Sequence, residues 1–240
     1  MIELQNVSRK FGNRKALTDV NLLITKGKIM GLAGENGGGK STLLKLIAGL
    51  LKPTNGSITL DGLPITRRSA THISYLPDAD MFYPNFTIAE LFRFYESQFD
   101  DFSLEKASHI ASFLNISLDD KLRNLSKGGR GRAKVAITLG RNTPYYILDE
   151  PFSGFDPMVR QDIIKGLIKF TDTETQTIVL STHEILEVEP LLDEIVILKG
   201  GQVIAHEETE NIRDLYGKDT TSWMMSLFKE GEEHGTTTNR

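Results

Sequence analysis

Cysteine is absent from the 240 residues, which removes disulfide bridges, thiolate metal sites and cysteine nucleophiles together. Long apolar runs are absent as well, since no stretch approaches the roughly 18 consecutive apolar residues a membrane-spanning helix needs. The opening MIELQNVSRKF lacks the basic start and apolar run of a secretory signal. Strong charge of one sign is missing too. The 28 Lys and Arg against 32 Asp and Glu leave a formal −4, which argues against wholesale nucleic-acid binding. These absences predict a soluble, cytoplasmic protein whose membrane role, if it has one, comes through a partner. What is present is ordinary globular chemistry: 39% hydrophobic and 25% charged residues, enough to bury a proper core. The length suits one large α/β domain or two small ones.

The chain punctuates like an α/β protein. Residues 2–7 alternate apolar and polar side chains as a strand does, and 20–24 and 28–33 read as further strands. GENGGGKST at 34–42 then precedes LLKLIAGLL, whose apolar spacing suits a helix. Residues 57–60 and 73–76 are short strand candidates. From about 87 to 141 strand signals vanish and helical ones dominate, with loops around 99–102 and 118–120. Strands return at 145–149, 177–181 and 195–198, and Lys199-Gly200-Gly201-Gln202 looks like a closing hairpin. The fold class is therefore α/β with a mostly helical insertion and no internal repeat. The final EGEEHGTTTNR is polar and aperiodic and reads as a frayed tail.

Two stretches carry chemistry. GENGGGKS at 34–41 fits G-x-x-x-x-G-K-[ST] between a strand and a helix, the context a phosphate loop requires. Gly34, Gly37, Gly38 and Gly39 let the backbone curl so that its N–H groups converge on phosphate oxygens. Lys40 would neutralise the β- and γ-phosphates, and Ser41 would offer a hydroxyl to Mg²⁺. Asn36 and Thr42 complete the nucleotide-binding set. A phosphate loop needs a metal carboxylate from a neighbouring strand, and YYILDE at 145–150 supplies one. Asp149 would join the Mg²⁺ shell, and Glu150 would poise the attacking water as general base.

A third stretch is ambiguous. LSKGGRGR at 125–132 packs three glycines and three basic residues into one short run, either a small patch for a phosphate backbone or a glycine turn feeding a helix.

With LSKGG between the other two motifs, the sequence resembles the ATP-binding cassette (ABC) ATPases, and the resemblance spans about residues 2–205. It implies a P-loop NTPase core, a RecA-like mixed sheet plus an antiparallel β subdomain, with an inserted α-helical subdomain. The implied boundaries are a single domain over 1–220, its core at 1–77 and 142–210, the helical part at about 78–141, and a C-terminal helix or tail over 221–240. Phe11 lies where the family carries an aromatic that stacks on adenine. Residues 125–129 align with the family signature and 153–156, SGFD, with its D-loop. His183 in LSTHE matches the switch histidine that contacts the γ-phosphate, which makes Glu150 and His183 the catalytic pair.

The resemblance also implies a partner. Two cassettes, identical or paralogous, dimerise head to tail, and Ser126, Gly128, Gly129 and Asp156 reach the nucleotide of the other subunit. A separate transmembrane subunit docks near residues 78–99, where MFYPNFTIAELFRFY is rich in aromatics. The cassette then sits on the inner face of the cell membrane through that partner, with ATP and Mg²⁺ as cofactors and no nucleic acid bound.

Three departures stand out. Asp78 occupies the position of a family glutamine that reaches Mg²⁺ and the lytic water; it either joins the metal oxygens or faces solvent in an altered loop. As a metal ligand it would make activity more dependent on Mg²⁺. Gly129 replaces a glutamine of the signature, and Gly131 stands where another often follows. Each adds backbone freedom at a helix start, costing up to about 1 kcal/mol. The stand-alone cassette with LSKG is most similar to bacterial exporters of drugs, peptides or lipids. An importer ATPase remains open, as does a soluble cassette acting in iron–sulfur assembly, on ribosomes or on DNA.

Overall fold

The computed structural model describes residues 1–79, 83–183 and 185–233; Phe82, one of the expected docking aromatics, and residues 234–240 of the expected tail lie outside them. Strands β1 (Ile2–Phe11) and β2 (Arg14–Ile24) open the chain as a hairpin, with Phe11 opposite Arg14 across Gly12-Asn13. Gly12 takes a φ of 56°, as the tight turn requires. Strand β3 (Ile29–Gly34) leads through the glycine loop into α1 (Lys40–Ile47). Strands β4 (Asn55–Leu60) and β5 (Leu63–Pro64) complete an antiparallel sheet in the order β2-β1-β4-β5.

After β6 (Ile73–Leu76) come α2 (Ile88–Gln98), α3 (Leu104–Phe113) and α4 (Lys127–Leu139). The chain returns through β7 (Tyr145–Leu148), α5 (Pro157–Phe170), β8 (Thr177–Thr182), α6 (Ile185–Val188), β9 (Glu194–Lys199) and β10 (Gln202–Glu208). It ends in α7 (Thr209–Tyr216) and α8 (Thr220–Glu233). The second sheet runs β10-β9-β3-β8-β7-β6, parallel except for β10.

The near-continuous apolar runs of β3, β7, β8 and β9 are explained by burial on both faces. Side chains alternate between two cores. Tyr146, Leu148, Ile178, Leu180, Ile195 and Ile197 face one shared with α2–α5. Tyr145, Ile147, Val179, Val196 and Leu198 face another shared with α1 and the antiparallel sheet. The period of two thus packs one sheet between two layers.

One buried arginine fastens the helical insertion to the sheet. The Arg141 guanidinium takes both oxygens of Asp101, at 2.8 and 3.0 Å. It also donates to the carbonyls of Ile73 and Ala70 at 2.9 and 2.7 Å, and stacks 4.0 Å above Phe99. Such a planar fork suits a site that must satisfy several acceptors without water.

Some boundaries differ from expectation. Strand β1 runs on to Phe11 and β2 starts at Arg14, because cross-strand pairing carries polar residues that the alternation pattern passes over. Helix α4 begins at Lys127, two residues before Gly129, because the Ser126 hydroxyl caps it, accepting from the Gly129 N–H at 3.1 Å. The polar segment after residue 229 is helical as far as Glu233. Its helix is anchored from within by Trp223, 3% exposed, and by Thr220, which donates to Glu189 at 2.7 Å.

Candidate functional site

Parallel pairing assembles the site. Leu148 at the end of β7 lies opposite Leu180 of β8, so the next residues, Asp149 and Ser181, emerge side by side at the same sheet edge. Strand β3 ends there too, and the loop from Gly34 curls over that edge. Gly34 has a φ of 152°, and a Cβ on it would stand 2.1 Å from the Leu198 carbonyl oxygen. Gly39, at φ 108°, has the same constraint, with the Ala16 carbonyl oxygen 2.7 Å from where its Cβ would be. Only glycine fits backbone packed this closely. The buried Lys40 ammonium ties the loop internally, donating to the carbonyls of Gly34 at 2.7 Å and Glu35 at 3.2 Å.

Beneath the loop lies a continuous hydrogen-bonded cluster. Asp149, 1% exposed, accepts from Ser41 Oγ at 2.9 Å and Ser181 Oγ at 3.0 Å on one oxygen, and from Tyr75 at 3.1 Å on the other. Ser181 Oγ also receives the Glu150 N–H at 2.9 Å. That bond holds Glu150 in a left-handed conformation, φ 49°, which costs a non-glycine residue about 1–2 kcal/mol. The Glu150 carboxylate meets His183 Nδ1 at 2.8 Å and stands 3.7 Å from the Lys40 ammonium. Burial, reinforced by Asp149, raises the Tyr75 hydroxyl far above its ordinary value, so it stays a proton donor.

These groups border a pocket of about 600 Å³. Phe11, Asn36, Gly37, Gly39, Lys40, Ser41, Thr42, Asp78, Glu150 and His183 all line it. Phe11 stands at the hairpin tip, 46% exposed, with the Arg9 guanidinium 4.5 Å over its ring. Asp78 therefore faces the pocket; its carbonyl is held by Lys134 Nζ at 2.8 Å. Arg14, beside Gly37, is a further cation of the rim.

Ser126, Gly128, Gly129 and Asp156 do not line this pocket. They form a separate body where α4 meets α5. Asp156 caps α5, accepting from the Met158 and Val159 N–H groups at 3.0 Å each. A Cβ on Gly128 would meet Val159 at 2.9 Å, and one on Gly131 would meet the Phe155 ring at 2.2 Å. Gly131 is therefore no mere loss of helix propensity, because it makes room for the Phe155 side chain. Gly129 is looser, its would-be Cβ 3.3 Å from the Leu125 side chain. The arginines of this run point back into the chain: Arg130 donates to the Leu125 carbonyl at 2.7 Å and Arg132 pairs with Asp162 at 2.5 Å.

A third feature is a groove of about 400 Å³ between the insertion and the sheet. Phe94, Tyr95, Phe99 and Ile137 line it from the insertion, and Leu50, Ile73 and Tyr75 from outside it. Of the remaining aromatics expected here, Phe92 is a core residue at 1% exposure, while Tyr83 and Phe86 stack on each other and border Phe94. The groove thus draws most of its lining from outside residues 78–99.

The ABC transporter family's sequence profile matches residues 17–153, more than half of the chain. The chain belongs to the ABC transporter family. As an ABC cassette it binds ATP and is an ATP hydrolase. Among relatives, the lantibiotic transport ATP-binding protein SrtF of Streptococcus pyogenes is 32% identical over 224 residues, covering 90% of this chain and 96% of its own. A sulfate/thiosulfate import ATP-binding protein of Chlorella vulgaris, designated probable, is 33% identical over 89% of this chain and 93% of its own. The solved ATP-binding subunit of an ABC transporter superposes with a TM-score of 0.83 at 25% identity, covering 95% of this chain and 99% of that one. A dimeric ATP-binding cassette in a post-hydrolysis state with ADP and Pi gives 0.76 at 26% identity, covering 87% and 98%.

Motif spacing missed three groups at the ABC site: Tyr75, Ser181 and Arg14. Tyr75 and Ser181 are ordinary strand residues whose role depends on which strands are neighbours. The one available signal was that both stand at or near the end of a strand on the motif-bearing edge.

Proposed function

We propose that this cassette is the ATP-hydrolysing motor of an exporter, acting as a head-to-tail pair beneath a separate transmembrane subunit. The observation that carries it is the unbroken cluster from Ser41 through Asp149, Ser181 and Glu150 to His183, set under a pocket of nucleotide size. Phe11 would stack on adenine, and Gly34 with the 36–42 segment would cradle the phosphates. Glu150 would accept the proton of the water that attacks the γ-phosphorus as the bond to ADP breaks. His183, already on Glu150, would meet the γ-phosphate.

The donor chemistry fits Mg²⁺: Ser41 and Asp149 offer hard oxygens, with Asp78 on the same pocket wall. No group of three or more His, Asp or Glu among the described residues could hold a metal alone, so phosphate and water oxygens would complete the shell. Mg²⁺ held there would supply neutralisation of the phosphate charge.

Placement of Ser126, Gly128, Gly129 and Asp156 away from the chain's own pocket supports their acting on a second cassette's nucleotide. No helix among the described residues is long and apolar enough to cross a membrane, which supports a separate spanning subunit docked in the aromatic groove on the cytoplasmic side. Resemblance to SrtF favours export of a peptide-like cargo; resemblance to the sulfate/thiosulfate cassette favours import as the second reading.

Co-purification from detergent-solubilised membranes tests the proposal. The wild-type chain should bring down a protein with several hydrophobic spans, and Leu50→Asp or Phe94→Asp should lose it while retaining ATP binding. Recovery of ribosomes, DNA or a soluble assembly complex instead would contradict it.

A further inference from the structure

Phe11 stands at the tip of the β1–β2 hairpin and is 46% exposed, so the pocket alone does little to fix its ring. Support comes from Arg9, two residues earlier on β1. Its guanidinium carbon lies 4.5 Å from the ring centroid, and its Nη1 donates to the Lys52 carbonyl at 2.9 Å. Arg9 Nε is buried and makes no hydrogen bond to any described residue. An unconstrained arginine would turn that N–H to water. Here the planar group is kept over the ring, where cation and π-face attract. Phe11, Arg14 and Ala16 line the nucleotide pocket and Arg9 does not, which puts the guanidinium on the ring face turned away from the pocket.

We propose that Arg9 is a positioning residue for base binding: it holds the Phe11 ring from behind, so that the pocket-side face is set before a nucleotide arrives. This rests on the proposed stacking of adenine on Phe11. The anchor matters as much as the cation. Lys52 follows α1, whose first turn carries Lys40 and Ser41. Two further bonds tie β1 to the same segment, from the Lys10 N–H to Thr54 Oγ1 at 3.0 Å and from the Thr54 N–H to the Ser8 carbonyl at 2.7 Å. The base platform is therefore braced against the chain that runs on from the phosphate-binding helix, which fixes the span between the two ends of the nucleotide site. A ring already held at its bound angle loses less freedom when a base stacks on it.

The test is calorimetric titration of the full chain with ADP and, as a probe without a base, inorganic pyrophosphate. Immobilising one side chain on binding lowers affinity by about two- to tenfold, so Arg9→Met should weaken ADP binding by about that factor and leave pyrophosphate binding unmoved. Arg9→Lys, which keeps a cation and a donor for the Lys52 carbonyl, should recover part of the loss. In the Phe11→Ala background Arg9→Met should weaken ADP binding no further. Unchanged ADP affinity in Arg9→Met while Phe11→Ala weakens it would overturn the positioning role. So would an equal loss for ADP and pyrophosphate, or the full Arg9→Met loss repeated on top of Phe11→Ala. Unchanged ADP affinity in Phe11→Ala would instead sink the stacking reading on which the proposal rests.

Discussion

Replacing Gly131 with alanine should change sign in its effect on stability according to what stands at position 155. The methyl carbon would lie 2.2 Å from Phe155 Cζ and 2.7 and 2.8 Å from the two neighbouring ring carbons. Relaxed carbon contacts need about 3.5–4.0 Å, so the ring must retreat by more than about 1 Å. That ring is not free to drift. The Arg160 guanidinium holds the Phe155 carbonyl at 2.8 Å, and Lys127 lies 6.0 Å over the ring. Overpacking of this kind costs about 1–3 kcal/mol, whereas alanine in place of an interior helical glycine gains about 1 kcal/mol. The net for Gly131→Ala is a loss of about 1 kcal/mol, or about 2–4 °C in melting temperature for a chain of this size. With Phe155→Ala in place the clash is gone and only the helix gain remains, so the same substitution should raise the melting temperature by about 2–4 °C. Thermal unfolding of the four proteins of the cycle measures this. A rise of similar size in both backgrounds would refute the packing account of Gly131 and restore the simpler view that glycine merely loosens the helix start.

Glu194 is buried, and although burial alone would raise its carboxyl, Lys28 at 2.5 Å and His206 at 2.9 Å hold it below the usual value of 4.5. A depressed carboxylate stabilises the fold above its unfolded value and loses that contribution as pH falls through the folded one. Glu194→Gln should therefore cost about 2 kcal/mol at pH 7, with the gap to wild type shrinking below about pH 4.5 in chemical denaturation; an equal gap at pH 7 and pH 3 would contradict this. Asp78→Gln should raise the Mg²⁺ concentration needed for half-maximal ATPase activity, because it removes from the pocket wall an acid that attracts the cation; an unchanged magnesium titration would leave Asp78 without a metal role.

The site's phosphate-loop and acidic ends were legible because their chemistry is local. Gly34 to Ser41 and Asp149-Glu150 are each contiguous, and each sits at a strand end that the apolar runs predict. The sheet buried on both faces was legible for the same reason, since residues such as Met30 and Leu32 or Val179 and Leu180 mark strands too apolar to face water. What could not be read was set by strands distant in sequence. Ser181 and Tyr75 become partners of Asp149 only because β8 and β6 flank β7. Gly131 looked like a lapse in helix propensity because the ring that requires it comes from Phe155, on the loop before α5. The groove likewise draws Leu50 and Tyr75 from outside the insertion, so a window over residues 78–99 captured only a minor part of its lining.

Sedimentation velocity of Glu150→Gln with and without MgATP tests the two-chain site most directly. Without the base, ATP should remain bound beneath the second chain's Ser126, so MgATP should convert a monomer into a stable dimer while turnover is lost. A variant that stays monomeric with ATP bound, or that hydrolyses ATP at the wild-type rate, would contradict the account.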